Sequence, residues 1–217
     1  MPKKTTGVSR GAQLLKAMMA FREMIVSETL SPEKTKTGFM CMYPYKWMFN
    51  SCRIPVTGED VAKSYDPATH QHVVVIRNGH FFIVDLVNKL TGKELSVAEI
   101  ELQLQRIVED ERTQQVNPVP IGSFTAANRD EWVKNREALL AGATGEHNRK
   151  LLELVESGII VLNLDSTSPV TFQERGEAVY GGDARNRFFD KLQIVVFENG
   201  TSGFIGEHSM MDGSQTL

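Results

Sequence analysis

Residues 207–213, EHSMMDG, are the part of this 217-residue sequence best suited to chemistry. A histidine follows directly on an apolar run, and an Asp-Gly pair stands four and five residues beyond it. An imidazole with an ordinary pKa of ~6.5 can take up and return a proton at neutral pH, and a histidine leaving the end of a strand can project into a cleft. Asp212 followed by Gly213 predicts a sharp, anchored turn, the carboxylate held by an arginine and the glycine supplying a special backbone conformation. A histidine before a loop also serves structurally, so the spacing by itself leaves both roles for His208 open.

Other candidates are weaker. His70 and His72 lack the neighbouring Asp, Glu or Cys that a zinc site needs, so no metal site is expected. His80 sits with His72 at the ends of a hairpin, and His147 lies in a polar helix start; packing roles are expected for them. No G-x-S-x-G elbow, P-loop or serine triad can be assembled, and Gly181-Gly182 reads as a turn. Arg53 in CRIP and Arg187 in NRFFDK are embedded in apolar sequence, where an unpaired charge would cost several kcal/mol, and Asp190 and Asp212 are the obvious partners. Tyr43, Tyr45, Trp47 and Phe49 could line a cation–π pocket for a quaternary ammonium, or simply belong to the core. Cys41 and Cys52 fit neither a zinc pair nor a CxxC, and are expected to be buried thiols in a reducing, intracellular compartment.

These residues need elements to carry them. Leu14, Leu15, Met18, Phe21 and Ile25 recur at helical spacing over residues 9–27. HVVVIR and HFFIVDLV read as two strands around Asn78-Gly79, a favoured hairpin turn. Ser96 and Glu99 form a capping-box pattern ahead of a helix through Val108. Asn128 with Glu131 opens another helix that stops at Gly142, and a third ends at Gly158. IIVLNLD then reads as a strand buried on both faces, because its apolar residues do not alternate. After the loop YGGDARN, the apolar residues 192–197 form a strand. Asn199-Gly200 turns the chain, and residues 202–206 return as the strand that delivers His208. The expected architecture is α/β, with helices packed on a mixed sheet.

Bulk properties exclude several classes. Forty-one per cent apolar and 24 per cent charged residues rule out disorder. A net charge of −3 argues against nucleic acid or an anionic membrane as the main partner. The longest apolar runs fall far short of the ~20 residues that cross a bilayer, so no transmembrane segment is expected. With no repeat and no long linker, one domain is expected.

CMYPYKWMFNSCRIP, HVVVIRNGHFFIVD, PIGSFTAANRDEW, NRFFDKLQIVVFENG and GEHSMMDG, in this order and spacing, resemble the carnitine/choline acyltransferase family, closest to its carnitine acetyltransferases. HxxxDG alone would also fit chloramphenicol acetyltransferases and peptide-synthetase condensation domains. The resemblance implies a CoA-dependent, chloramphenicol acetyltransferase-like fold. It implies His208 as general base, Tyr45 as a residue holding the carnitine carboxylate, and Asp212 in an ion-paired structural role. It further implies carnitine and acyl-CoA as substrates, with CoA as co-substrate and no bound cofactor. Because the sequence stops at Leu217, soon after His208, it resembles an incomplete fold. Residues 1–217 would be a partial N-terminal, catalytic-histidine domain without its C-terminal partner, prone to self-association through uncovered surfaces and inactive alone.

Overall fold

The computed structural model describes residues 5–181 and 184–215, and shows a mixed α/β architecture. Helix α1 (Gly7–Val26) starts two residues earlier than its periodicity suggests, because Thr6 caps it by accepting from the Ser9 amide at 3.2 Å. A two-residue ladder of β1 (Lys34–Thr35) and β2 (Gly38–Phe39) follows, and the aromatic segment folds as a 3₁₀ helix over Tyr43–Trp47. Strands β3 (Ser51–Ile54) and β4 (Val61–Ser64) pair as a separate antiparallel ribbon that sequence reading did not anticipate. Cys41 is exposed and only Cys52 is buried, which corrects the expectation of two buried thiols.

The main sheet has the order β6-β5-β7-β8-β9. Strands β5 (His72–Arg77) and β6 (His80–Asp85) form the expected hairpin, and both turn residues, Asn78 (φ 49°) and Gly79 (φ 79°), are left-handed as a tight hairpin turn requires. Strand β7 (Val161–Asp165) lies parallel to β5 and to β8 (Gln193–Phe197); β9 (Ser202–Ile205) returns antiparallel to β8. Between β6 and β7 run α2 (Val97–Glu109), opened by the expected Ser96/Glu99 capping box, α3 (Arg129–Leu140) and α4 (Gly145–Ser157). At α3 the Asn128 side chain accepts from the Asp130 amide, so the cap forms without the reciprocal Glu131 bond. A short α5 (Phe172–Gly176) lies between β7 and β8. The YGGDARN loop contributes a π turn over Glu177–Gly181 and a 3₁₀ turn over Ala184–Asn186; Gly182 and Asp183 lie outside the described residues.

Both faces of the sheet are covered, which explains why its central strands are apolar throughout. Val73, Val75, Leu162, Leu164 and Val196 pack with Ala12, Leu15, Ile100 and Leu104 of α1 and α2. Val74, Ile76 and Val161 point the other way, onto Val155, Phe188, Tyr65 and Cys52. The third helix ends at Gly158 as expected, with a φ of −53° that does not itself require glycine. It serves close packing instead, because a Cβ there would meet Val74 Cγ2 at 2.8 Å.

Candidate active site

Glu207 is the second residue after the end of β9. This side chain is buried, as is Met211, which joins the α1-side core. Between these two anchors His208 is turned outward, with 77 per cent of its side chain exposed. Its Nε2 lies 3.8 Å from Oδ1 of Asp212, itself 74 per cent exposed. That separation is beyond hydrogen-bond reach. Among the described residues no hydrogen bond ties either ring nitrogen, so both remain available to a substrate. Asp212 also accepts from the Gly213 amide at 2.7 Å.

No arginine pairs with Asp212 among the described residues, contrary to expectation, because the two arginines expected there, buried Arg187 and part-buried Arg53, are committed elsewhere. Arg187 makes a two-pronged pair with Asp165, Nη1–Oδ1 and Nη2–Oδ2 both at 2.8 Å, and also donates to the carbonyls of Ala178, Val179 and Asn186. Arg53 pairs with Asp190 (Nε–Oδ1 3.2 Å), as the sequence suggested, and with Glu207 (Nη1–Oε1 3.3 Å). Of the two acids expected as partners, Asp190 pairs with Arg53 and Asp212 with neither arginine among the described residues. Asp165, on β7, is distant in sequence from Arg187, and Glu207 was passed over as the histidine's plain neighbour.

All four polar residues of NRFFDK face inward. Asn186 accepts from the Gly79 amide at 3.1 Å, fastening the hairpin turn to this segment. Asp190 accepts from Arg129 Nη1 at 2.7 Å and from the Trp132 indole at 2.8 Å, which ties in α3. Burial pushes its carboxyl up, while Arg129, the indole and Arg53 draw it back. Asp60 completes the group, 2.6 Å from Arg129 Nε. Lys191, fully buried, donates to the carbonyls of Ser51 and Glu156, both at 2.7 Å, and burial brings its pKa down to about 8. The Cys52 thiol nearby is pushed up by burial, which removes it as a nucleophile. His72 is likewise structural: its ring, 2.8 Å from the Leu154 carbonyl, is lowered in pKa by burial.

Tyr45 lies elsewhere on the α1 side. Its hydroxyl donates to Glu33 Oε1 at 2.8 Å, and burial together with this carboxylate raises its pKa to about 12. It lines a cavity of about 330 Å³ with Phe21, Glu33, Phe49, Phe204 and Gln215 among others. Phe204 and Gln215 flank His208 in sequence, but His208 itself is not part of this lining. Of the aromatic group, Tyr43 is exposed and Lys46 sits over the rings of Tyr43 and Trp47, so its cation–π capacity is already used by the chain's own lysine. No group of three metal-ligating side chains occurs among the described residues, and none of their helices is long and apolar enough to cross a membrane.

The sequence model described as Choline/Carnitine o-acyltransferase matches residues 1–217. The chain belongs to this family. Among individual choline/carnitine acyltransferase relatives, human carnitine O-acetyltransferase is 30 per cent identical over 217 residues, and the mitochondrial carnitine O-acetyltransferase of Saccharomyces cerevisiae is 33 per cent identical over 213. These alignments cover 93 and 96 per cent of this chain, but 33 and 31 per cent of those proteins. A highly reducing polyketide synthase of Aspergillus luteorubrus is 35 per cent identical over 205 residues, 94 per cent of this chain and 6 per cent of that protein. The chain thus spans about a third of the length of the carnitine acetyltransferases it matches.

Proposed function

We propose that His208 is the general base of an acyl transfer between CoA and the hydroxyl of carnitine, performed by the protein of which residues 1–217 supply the catalytic-histidine part in a chloramphenicol acetyltransferase-like, two-domain arrangement. The observation that carries this reading is the HxxxDG turn itself. Buried Glu207 and Met211 hold its ends, and the one imidazole between them stands free beside a carboxylate. His208 removes the acceptor's hydroxyl proton as the oxygen attacks the thioester carbonyl. The C–S bond then breaks, and the imidazolium returns the proton to the departing CoA sulfur. Asp212 stabilises that imidazolium through space. The transfer is direct, with no acyl-enzyme, in keeping with the high pKa of the buried Cys52 thiol.

A second reading keeps the base and changes the acceptor. Tyr45 spends its one hydroxyl proton on Glu33, so a carboxylate already stands where the carnitine carboxylate was expected to be received. Relatives whose names carry no carnitine, the polyketide synthase and the choline O-acetyltransferase of Drosophila melanogaster, match as well at 35 and 31 per cent identity. An alcohol without a carboxylate is the acceptor on this reading. Thiol release from acetyl-CoA, assayed with carnitine, choline and a neutral aliphatic alcohol in turn, separates the two. Carnitine as the preferred acceptor supports the first reading, and preference for either other alcohol supports the second. Equal, His208-independent release with all three would sink both.

A further inference from the structure

We infer that Glu207 is a positioning residue for His208, a carboxylate clamp that spans the histidine and fixes its direction. The inference rests on the reading of His208 as the base. One carboxylate oxygen of Glu207 accepts from both the backbone N–H (3.1 Å) and the hydroxyl (2.7 Å) of Ser209, the residue on the far side of His208. The other oxygen lies 3.3 Å from Arg53 Nη1. The loop therefore closes on itself around the histidine and is bolted by one further contact to β3.

Arg53 is itself held. Its guanidinium meets Asp190, its backbone N–H donates to the Asp190 carbonyl at 2.9 Å, and Asp60 lies 3.6 Å from its Nε. Through Asp190 the same group reaches Arg129 and Trp132 of α3. Glu207 is thus the end of a charged chain that begins in the helical layer and ends one residue from the imidazole. Its side chain is 2 per cent exposed, whereas His208 is 77 per cent exposed, so a rigid buried carboxylate carries a solvent-facing ring. A reacting group displaced by about 1 Å can lose about 10²-fold in rate, which makes such a clamp consequential without its touching substrate.

The test uses the complete protein that contains this chain, with Glu207→Ala, Glu207→Gln and Ser209→Ala assayed on acetyl-CoA, and hydrogen exchange resolved at the Ser209 amide. Glu207→Ala should lower kcat by about 10²-fold while the KM for acetyl-CoA stays within about twofold. Its Ser209 amide should exchange at least about tenfold faster. Glu207→Gln retains an oxygen that accepts from Ser209, so it should recover most of the rate and of the exchange protection; Ser209→Ala should fall between. A wild-type kcat in Glu207→Ala, a change confined to KM, or equal losses in Glu207→Ala and Glu207→Gln would each overturn the clamp. His208→Ala serves as the control on the underlying reading. Should it keep full activity, the general-base assignment fails and the catalytic part of this inference falls with it, while Ser209 exchange still reports whether Glu207 holds the loop.

Discussion

Two acid–base pairs in this molecule behave oppositely. Arg187 and Asp165 meet at two points, 2 and 12 per cent exposed, within a shell of backbone carbonyls and Asn186. His208 and Asp212 face solvent at 3.8 Å, 77 and 74 per cent exposed. The first pair has surrendered its freedom: each group is fully hydrogen-bonded, and removing either would strand a buried charge. The second has kept its protons exchangeable. Fixing a fold and moving a proton demand contrary surroundings, and here the turn after β9 separates them by placing the buried carboxylate, Glu207, beside the exposed imidazole.

The comparison can be broken from either side. The largest effect is expected from His208→Ala, which should lower acyl transfer by about 10²- to 10⁴-fold, the usual cost of losing a general base. Chemical denaturation of the same variant should change by no more than about 0.5 kcal/mol, because the ring is exposed. Activity above a tenth of wild type would place the base elsewhere. Asp165→Ala should do the reverse. It leaves the Arg187 guanidinium buried without its carboxylate, and the urea midpoint should drop by the equivalent of about 3–5 kcal/mol; an unchanged midpoint would show that the backbone carbonyls alone satisfy Arg187.

A smaller effect distinguishes buried from exposed histidines. Burial lowers the His72 pKa, so the unfolded chain binds the proton more readily than the folded one as pH falls below ~6.5. Stability is therefore fully present above that value and declines on acidification. Melting curves between pH 7.5 and 5 should show the decline in the wild type and a flatter profile in His72→Gln; parallel profiles would contradict it. Smallest of all is Asp212→Asn. The arginine anchor expected for Asp212 is absent, so its loss should leave the melting temperature unmoved and reduce turnover by less than about tenfold, the share due to a through-space charge. A fall in melting temperature would restore an anchoring role to this carboxylate.

Much of the frame was legible because its signals are local. The Asn78-Gly79 turn, the Ser96/Glu99 capping box and the non-alternating apolar residues of β7 each depend on a few adjacent residues, and each appears where its residue types require. The β3–β4 ribbon was not legible: β4 is exposed along its whole length, so no hydrophobic alternation marks it. Gly158 marked the end of its helix correctly, but the close approach that requires a glycine there is set by Val74, a residue far away in sequence.

For the site, the sequence by itself singled out His208 as the candidate base, because HxxxDG is a contiguous motif and the family match runs through it. It also determined that buried arginines would demand carboxylates. Which carboxylate each received was decided only by the tertiary structure. Arg187 found Asp165 because β7 and β8 are parallel neighbours, and Arg53 found both Asp190 and Glu207 because β3 packs where the chain enters β8 and leaves β9. Charge requirements are written in residue types, whereas partners are assigned by distances that only strand order and packing create. That is also why Glu207, next to the histidine in sequence, showed its part only once Arg53 and Ser209 were seen on either side of its carboxylate.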